Sequence, residues 1–358
     1  PVAGTTVTLT LDKGLGEGFA EPKETATHKF LSIPSKLLSD FHGRPMVYRV
    51  GVVLPKDFAK EPDKKYGLIV DIGGFGTRYT QAIAIDPDSR FVQIVPDGAG
   101  PYGDPYHVDS ANNGPYGAAL TTEVIPHIEK LFRCVGTPKS RFTTGGSTGG
   151  WVSLALQVFY PDYFNGCWSQ CPDSVTFERY ELINLYSEAN AYMNRYGVDR
   201  PGTRTIDGDT ISSVRHECQL ERVLARGGRW ELSGRDWASW NAAYGPKGKD
   251  GLPVPVWDGK TGAIDTRVLD HWKKYDLKLV LQKNWKQLGP KLSGKIHVWV
   301  GDSDDYFLNA AVRLLKDATD KFENPKFDGT ILIEARKGHA SGGWTRKEML
   351  DAMAARMK

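Results

Sequence analysis

The sequence predicts an α/β fold: a mostly parallel sheet flanked by helices, with antiparallel strands at its N-terminal end and a large inserted cap. Three observations carry this. Short β-branched or aromatic runs recur at residues 66–71 (YGLIVD), 92–98 (VQIVPDG), 140–144 (SRFTT), 164–169, 295–300 (KIHVWV) and 330–333 (TILI), the pattern of strands buried in a parallel sheet. Residues 151–160 (WVSLALQVFY) have helical spacing and stop before Pro161. The segment between Ser169 and Lys295 is far longer than one crossover helix needs.

Taken in order, residues 5–11 (TTVTLTL), 27–33 and 48–54 (YRVGVVL) alternate or are β-rich with turn residues between them, so they are expected as antiparallel strands leading into the sheet. The strand at 66–71 runs into a glycine-rich loop, Ile72-Gly73-Gly74-Phe75-Gly76. In the insertion, residues 175–196 and 212–226 have helical spacing, whereas 245–262 is rich in glycine and proline and irregular. Trp230, Trp237, Trp240, Trp257, Trp272 and Trp285 lie there, six of the protein's 10 tryptophans, which makes an aromatic cap over a site the natural reading. Core packing of the cap is the weightier role for these rings, and a cleft for sugar rings or aromatic acyl groups the other. The expected division is a core of residues 1–171 and 291–358 around a cap of 172–290.

Composition excludes several classes. At 358 residues, 40% of them hydrophobic, the chain can bury one large core and a cap. A net charge of +3 with no dense basic run argues against nucleic acid as a partner, and no apolar stretch reaches the roughly 18 residues of a membrane span. Cys134, Cys167, Cys171 and Cys218 permit disulfides without demanding them, and buried free thiols are expected at Cys167 and Cys171. No His/Cys cluster has metal-ligand spacing, so neither a metal nor a cofactor is expected. The chain begins at Pro1, which favours an exported, secreted or periplasmic protein over a cytoplasmic one.

The chemistry concentrates at Gly145-Gly146-Ser147-Thr148-Gly149, between a strand and a helix. A G-x-S-x-G turn reverses the chain so sharply that its serine is held strained with the hydroxyl exposed, so Ser147 reads as a nucleophile. A serine nucleophile needs a base, and the base needs a carboxylate to fix its tautomer; behind such an elbow the order is serine, acid, histidine. Of the histidines that follow, His297 lies within a strand and His216 and His271 in polar, helix-like stretches, whereas His339 sits in the glycine-rich loop after the last strand and is the expected base. The acid is expected in Gly301-Asp302-Ser303-Asp304-Asp305. Asp304 is preferred, Asp302 and Asp305 are alternatives that otherwise cap the helix starting near Tyr306, and Asp173 is a more distant candidate. The amide of Thr148, with that of Phe75 or Gly74, is expected to hold an oxyanion. Trp151, Asp173, Trp237 and Trp240 are the candidates for contact with substrate.

These pieces, together with Asn113-Gly114-Pro115-Tyr116-Gly117 and Glu123-Val124-Ile125-Pro126-His127-Ile128-Glu129, resemble the esterase family of α/β-hydrolases that includes esterase D (S-formylglutathione hydrolase), feruloyl and acetyl xylan esterases, enterochelin esterases and mycolyltransferases. The resemblance spans about residues 45–170 and 291–345. It implies an α/β-hydrolase fold with Ser147 as nucleophile, Asp304 as acid and His339 as base, and a serine esterase acting through an acyl-enzyme on a small-molecule or carbohydrate ester, with feruloyl or acetyl esters favoured. An acyltransferase or thioesterase using the same triad, or a non-catalytic binding protein on the same fold, are the alternatives. The large cap is a departure from compact members of the group.

Overall fold

The computed structural model describes residues 22–358; the strand expected at 5–11 lies outside them. Eight strands form one sheet: β1 (His28–Pro34), β2 (Val47–Val53), β3 (Gly67–Ile72), β4 (Phe91–Pro96), β5 (Arg141–Gly146), β6 (Cys167–Gln170), β7 (Ile296–Gly301) and β8 (Thr330–Glu334). Their order across the sheet is β1-β2-β4-β3-β5-β6-β7-β8. β1 pairs antiparallel with β2 and β2 with β4, while every pairing from β4 to β8 is parallel. The central strands are buried almost throughout, which is why their sequences read as continuous apolar or threonine-rich runs.

Eight helices of seven residues or more are described: α1 (Lys36–His42), α2 (Ile125–Leu131), α3 (Thr148–Phe159), α4 (Val214–Leu224), α5 (Asp236–Tyr244), α6 (Leu277–Leu292), α7 (Asn309–Thr319) and α8 (Arg346–Arg356). α3 begins at the elbow itself and is buried along nearly its whole length, between the sheet and the inserted segment. The opposite face of the sheet is closed by α8, whose Met349 and Met353 pack on Ile69, Phe91, Phe142 and Trp168. Both helices therefore hold β3 and β5 from either side, and the loops leaving these strands emerge at one edge.

The segment after β6 divides differently from the expected boundary at residue 290. α6 packs on α3 and α7, as the crossover helix between β6 and β7, so it belongs with the sheet and the insertion proper ends before Leu277. The insertion is continuous with the main hydrophobic core: Trp230, Trp257 and Trp272 are fully buried, and Tyr180 meets the rings of Trp237, Trp240, Trp257 and Trp272 edge-on or tilted at 5.2–6.1 Å. Aromatic pairs of this kind contribute about 0.5–1.5 kcal/mol each beyond the area they bury.

The helix expected at 175–196 is not formed. Apart from one 3-10 turn at Phe177–Arg179 the stretch is irregular. Its apolar residues Val175, Phe177, Tyr180, Ile183, Leu185 and Tyr192 recur at helical spacing because all are buried, yet Asn184 and Asn190 accept hydrogen bonds from the backbone amides of Tyr186 and Tyr192 and so favour turns over a helix. The expected helix at 212–226 is present as α4, and residues 245–262 are irregular as expected.

Candidate active site

Ser147 joins β5 to α3 with φ 58° and ψ −124°, a backbone conformation costing on the order of 1–3 kcal/mol that persists because its surroundings enforce it. The flanking glycines are demanded by β3: a Cβ at Gly149 would lie 1.9 Å from the carbonyl oxygen of Ile72, and one at Gly145 would lie 2.3 Å from the same atom. Gly149→Ala is accordingly expected to destabilise the fold by about 3 kcal/mol, read as a lowered denaturant midpoint; unchanged stability would show that β3 and α3 separate readily.

The residues expected as acid and base lie in the two loops that follow β7 and β8. Nδ1 of His339 and Oδ2 of Asp304 are 2.8 Å apart, and Asp304 is wholly buried. The other oxygen of Asp304 accepts the backbone N–H groups of Tyr306 (3.0 Å) and Leu308 (3.1 Å), which fixes the carboxylate ahead of α7. The two neighbouring aspartates have other partners. Asp302 accepts from the amide of Arg336 (2.8 Å) and the hydroxyl of Ser303, and Asp305 accepts from the amide of His339 (3.1 Å). Burial acts against charge on the His339 ring, but the Asp304 carboxylate and the Cys171 thiol outweigh it and raise its pKa. The Tyr306 ring meets the imidazole edge-on at 4.9 Å.

Ser147 and His339 line one cavity of about 560 Å³. In this structure the Ser147 hydroxyl donates to Oδ1 of Asp173 at 3.4 Å. Asp173 is itself fully buried, and its Oδ2 accepts from Tyr106 (2.5 Å), Thr148 (2.9 Å) and Trp240 (2.9 Å). Burial raises its pKa against these donors. It thus sits on the serine side of the site, apart from the Asp304–His339 pair.

The remaining expected residues separate. Gly74 and Phe75 line the cavity, and a Cβ on Gly74 would lie 3.8 Å from Cβ of Ser147. Asp104 holds their loop by accepting the Gly76 amide at 3.1 Å. Thr148 opens α3, where a first-turn amide lacks an intrahelical partner. Trp237 and Trp240 line the cavity, with their indole N–H groups donated to Glu217 (3.0 Å) and Asp173. Trp151 does not reach it: four residues into α3 its side chain turns inward, fully buried against Tyr106 and Tyr244, so it is a core residue rather than a substrate contact. His297 stacks on Trp168 at 4.6 Å within the sheet, and burial pushes its pKa down to about 4.

Several cavity residues have no sequence signal: Glu181, Glu217, Glu221, Arg235, Asp236 and Tyr306. They come from loops and helix ends of the insertion and from the loop after β7. A hairpin of the insertion, Pro201–Arg204 with Thr210–Ser213, reaches the acid loop, where Arg204 donates from Nε to the carbonyl of Asp304 (3.0 Å) and from its amide to that of Asp305 (2.9 Å). All four cysteines are buried and free, Cys171 among the cavity residues. Among the described residues there is no cluster of metal-ligating side chains, and no helix is long and apolar enough to cross a membrane.

An elbow after β5 that faces an acid after β7 and a histidine after β8, on a mostly parallel sheet, makes this an α/β-hydrolase fold. No protein-family model matches the chain and no curated protein matches it in sequence. Among solved structures it is similar to the fluorophosphonate-binding serine hydrolase F of Staphylococcus aureus, solved with substrate bound (13% identity, 93% of this chain and 100% of that one, TM-score 0.52). It is similar also to an S-formylglutathione hydrolase of Agrobacterium tumefaciens (13% identity, 94% and 98%, TM-score 0.51). A third similar structure is the Mycobacterium tuberculosis protein MPT51 (12% identity, 93% and 100%, TM-score 0.51). What the chain shares with these proteins is the fold.

Proposed function

We propose that the protein is a serine carboxylic-ester hydrolase. The observation that carries this reading is the Asp304–His339 pair, 2.8 Å between Oδ2 and Nδ1, whose histidine lines the same cavity as a serine at φ 58°. With Nδ1 engaged by Asp304, the imidazole leaves Nε2 to take the proton of Ser147 as its Oγ attacks an ester carbonyl. Asp304 stabilises the imidazolium that results, and the amides of Thr148 and Phe75 stabilise the oxyanion. His339 then protonates the departing alkoxide, and water, activated by the same histidine, releases the acid from Ser147. Attack requires the Ser147 hydroxyl to turn from Oδ1 of Asp173 to Nε2 of His339.

Carbohydrate esters are the substrate class favoured by the sequence, and Trp237 and Trp240 are the aromatic surface in the cavity that supports it. The fluorophosphonate-binding neighbour suggests the direct test. A fluorophosphonate probe is expected to modify Ser147 and no other serine, as read from the modified peptide by mass spectrometry. Absence of modification at Ser147 while 4-nitrophenyl acetate is turned over would overturn the assignment of the nucleophile.

A further inference from the structure

Five carboxylates line the cavity that holds Ser147: Asp173, Glu181, Glu217, Glu221 and Asp236. Opposite them stand only His339 and the exposed Arg235 among the described residues. Three of the five have their hydrogen bonds met within the protein. Asp173 accepts from Tyr106, Thr148 and Trp240; Glu217 accepts from Ser212 and Trp237; Glu221 accepts from Ser233 (2.6 Å) and from the amides of Trp237 (2.9 Å) and Ala238 (3.1 Å).

Glu181 is different. It is 2% exposed, its buried Oε2 has no partner, and its backbone is held at φ 51°. Burial raises its pKa well above the ordinary range, and the charges around it, Glu217, Asp173, Asp236 and Asp304, all act in the same direction. Half-buried Asp236 is raised to about 6, by burial first and by Asp173 and Glu217, against the partial relief of Arg235. A carboxyl buried in this way takes up a proton rather than stay charged, and a cation placed beside it would draw it back to the carboxylate. A hydroxyl ligand would leave Glu181 in its neutral form. A cation would hold it as the carboxylate, and the rings of Trp237, Trp240 and Tyr306 line the same cavity.

The geometry points to a recognition site for a protonated amine, in which Glu181, with Asp236 beside it, binds the ammonium group of an ester substrate while Ser147 meets the ester carbonyl. This rests on the esterase reading for the second half and is independent of it for the first. Glu181 and Asp236 are specificity residues here, without a part in bond making.

Binding and turnover test it separately. Titration calorimetry of the full chain with phenethylammonium chloride and with its neutral counterpart 2-phenylethanol is expected to show the cation binding at least about tenfold more tightly, with the preference weakened by added salt. Glu181→Gln and Asp236→Asn, checked for unchanged melting temperature, are expected to remove most of that preference. Equal binding of the two probes by the unmodified protein, no binding of the cation at millimolar concentration, or a preference that survives both substitutions in one chain would each overturn the inference. For turnover, kcat/KM for 4-nitrophenyl 6-aminohexanoate is expected to exceed that for 4-nitrophenyl heptanoate, and the ratio to collapse in Glu181→Gln. Hydrolysis of the heptanoate without preference for the aminohexanoate would sink the ammonium site and leave the esterase standing; hydrolysis of neither would sink the esterase and leave the calorimetry to judge the site.

Discussion

Replacing Ser147 by alanine is expected to lower kcat/KM on an activated ester by about 10⁴- to 10⁶-fold, since the covalent route disappears and only oxyanion stabilisation and binding remain to assist water. The fold should be unaffected. The hydroxyl's partner is Asp173 at 3.4 Å, a long contact, and alanine must adopt the same φ of 58° that serine already adopts. The glycines that set the elbow's shape against Ile72 are untouched. Hydrolysis of 4-nitrophenyl acetate and fluorophosphonate labelling, with circular dichroism as the control on folding, measure this. A folded variant keeping more than a small fraction of the activity would move the nucleophile elsewhere, and Cys171, a free thiol in the same cavity, would be the next residue to replace.

Much of the site was legible in the sequence because its parts are local. An elbow needs small residues within three positions of the serine, and a carboxylate or imidazole at the end of a parallel strand is placed by the strand itself, so spacing and chain order point to Ser147, Asp304 and His339; the structure sets Asp304 against His339 and brings His339 into one cavity with Ser147. Asp302, Asp304 and Asp305 could not be separated that way, because their partners, the Arg336 amide, the His339 ring and the His339 amide, lie more than 30 positions away across β8. Trp151 misled for a related reason: its nearness to Ser147 in sequence says nothing about the face of α3 from which it projects, and that face is the core. In the insertion, periodicity reported burial without reporting conformation. Residues 175–192 bury most of their large apolar side chains as a helix would, yet the turn through Glu181 at φ 51° is what brings a carboxylate to the cavity wall. No pattern marks Glu181 or Asp236, whose significance lies only in what surrounds them.

Asp304→Asn is expected to lower kcat by about 10⁴-fold with the fold retained. An amide at this position can turn its NH2 toward Nδ1 of His339, leaving the ring's proton on Nε2, so that the imidazole can no longer accept from Ser147. The pH profile separates this from a loss of packing. Hydrolysis needs His339 neutral, so activity falls as pH drops through its pKa; with burial opposed by Asp304 and Cys171 and the pKa raised, the acid limb of kcat/KM should lie above the ordinary histidine value of about 6.5. Removing the Asp304 charge leaves burial less opposed, and the limb should move toward lower pH as the plateau falls. Asp302→Asn, whose carboxylate holds the Arg336 amide, should lose little and keep the limb in place. Asp305→Asn should cost more, because its carboxylate holds the His339 amide and so positions the loop that carries the base, but it too should leave the limb unmoved. A limb displaced by Asp305→Asn and unmoved by Asp304→Asn would transfer the proposed acid's role to Asp305, despite the 2.8 Å contact between Asp304 and His339.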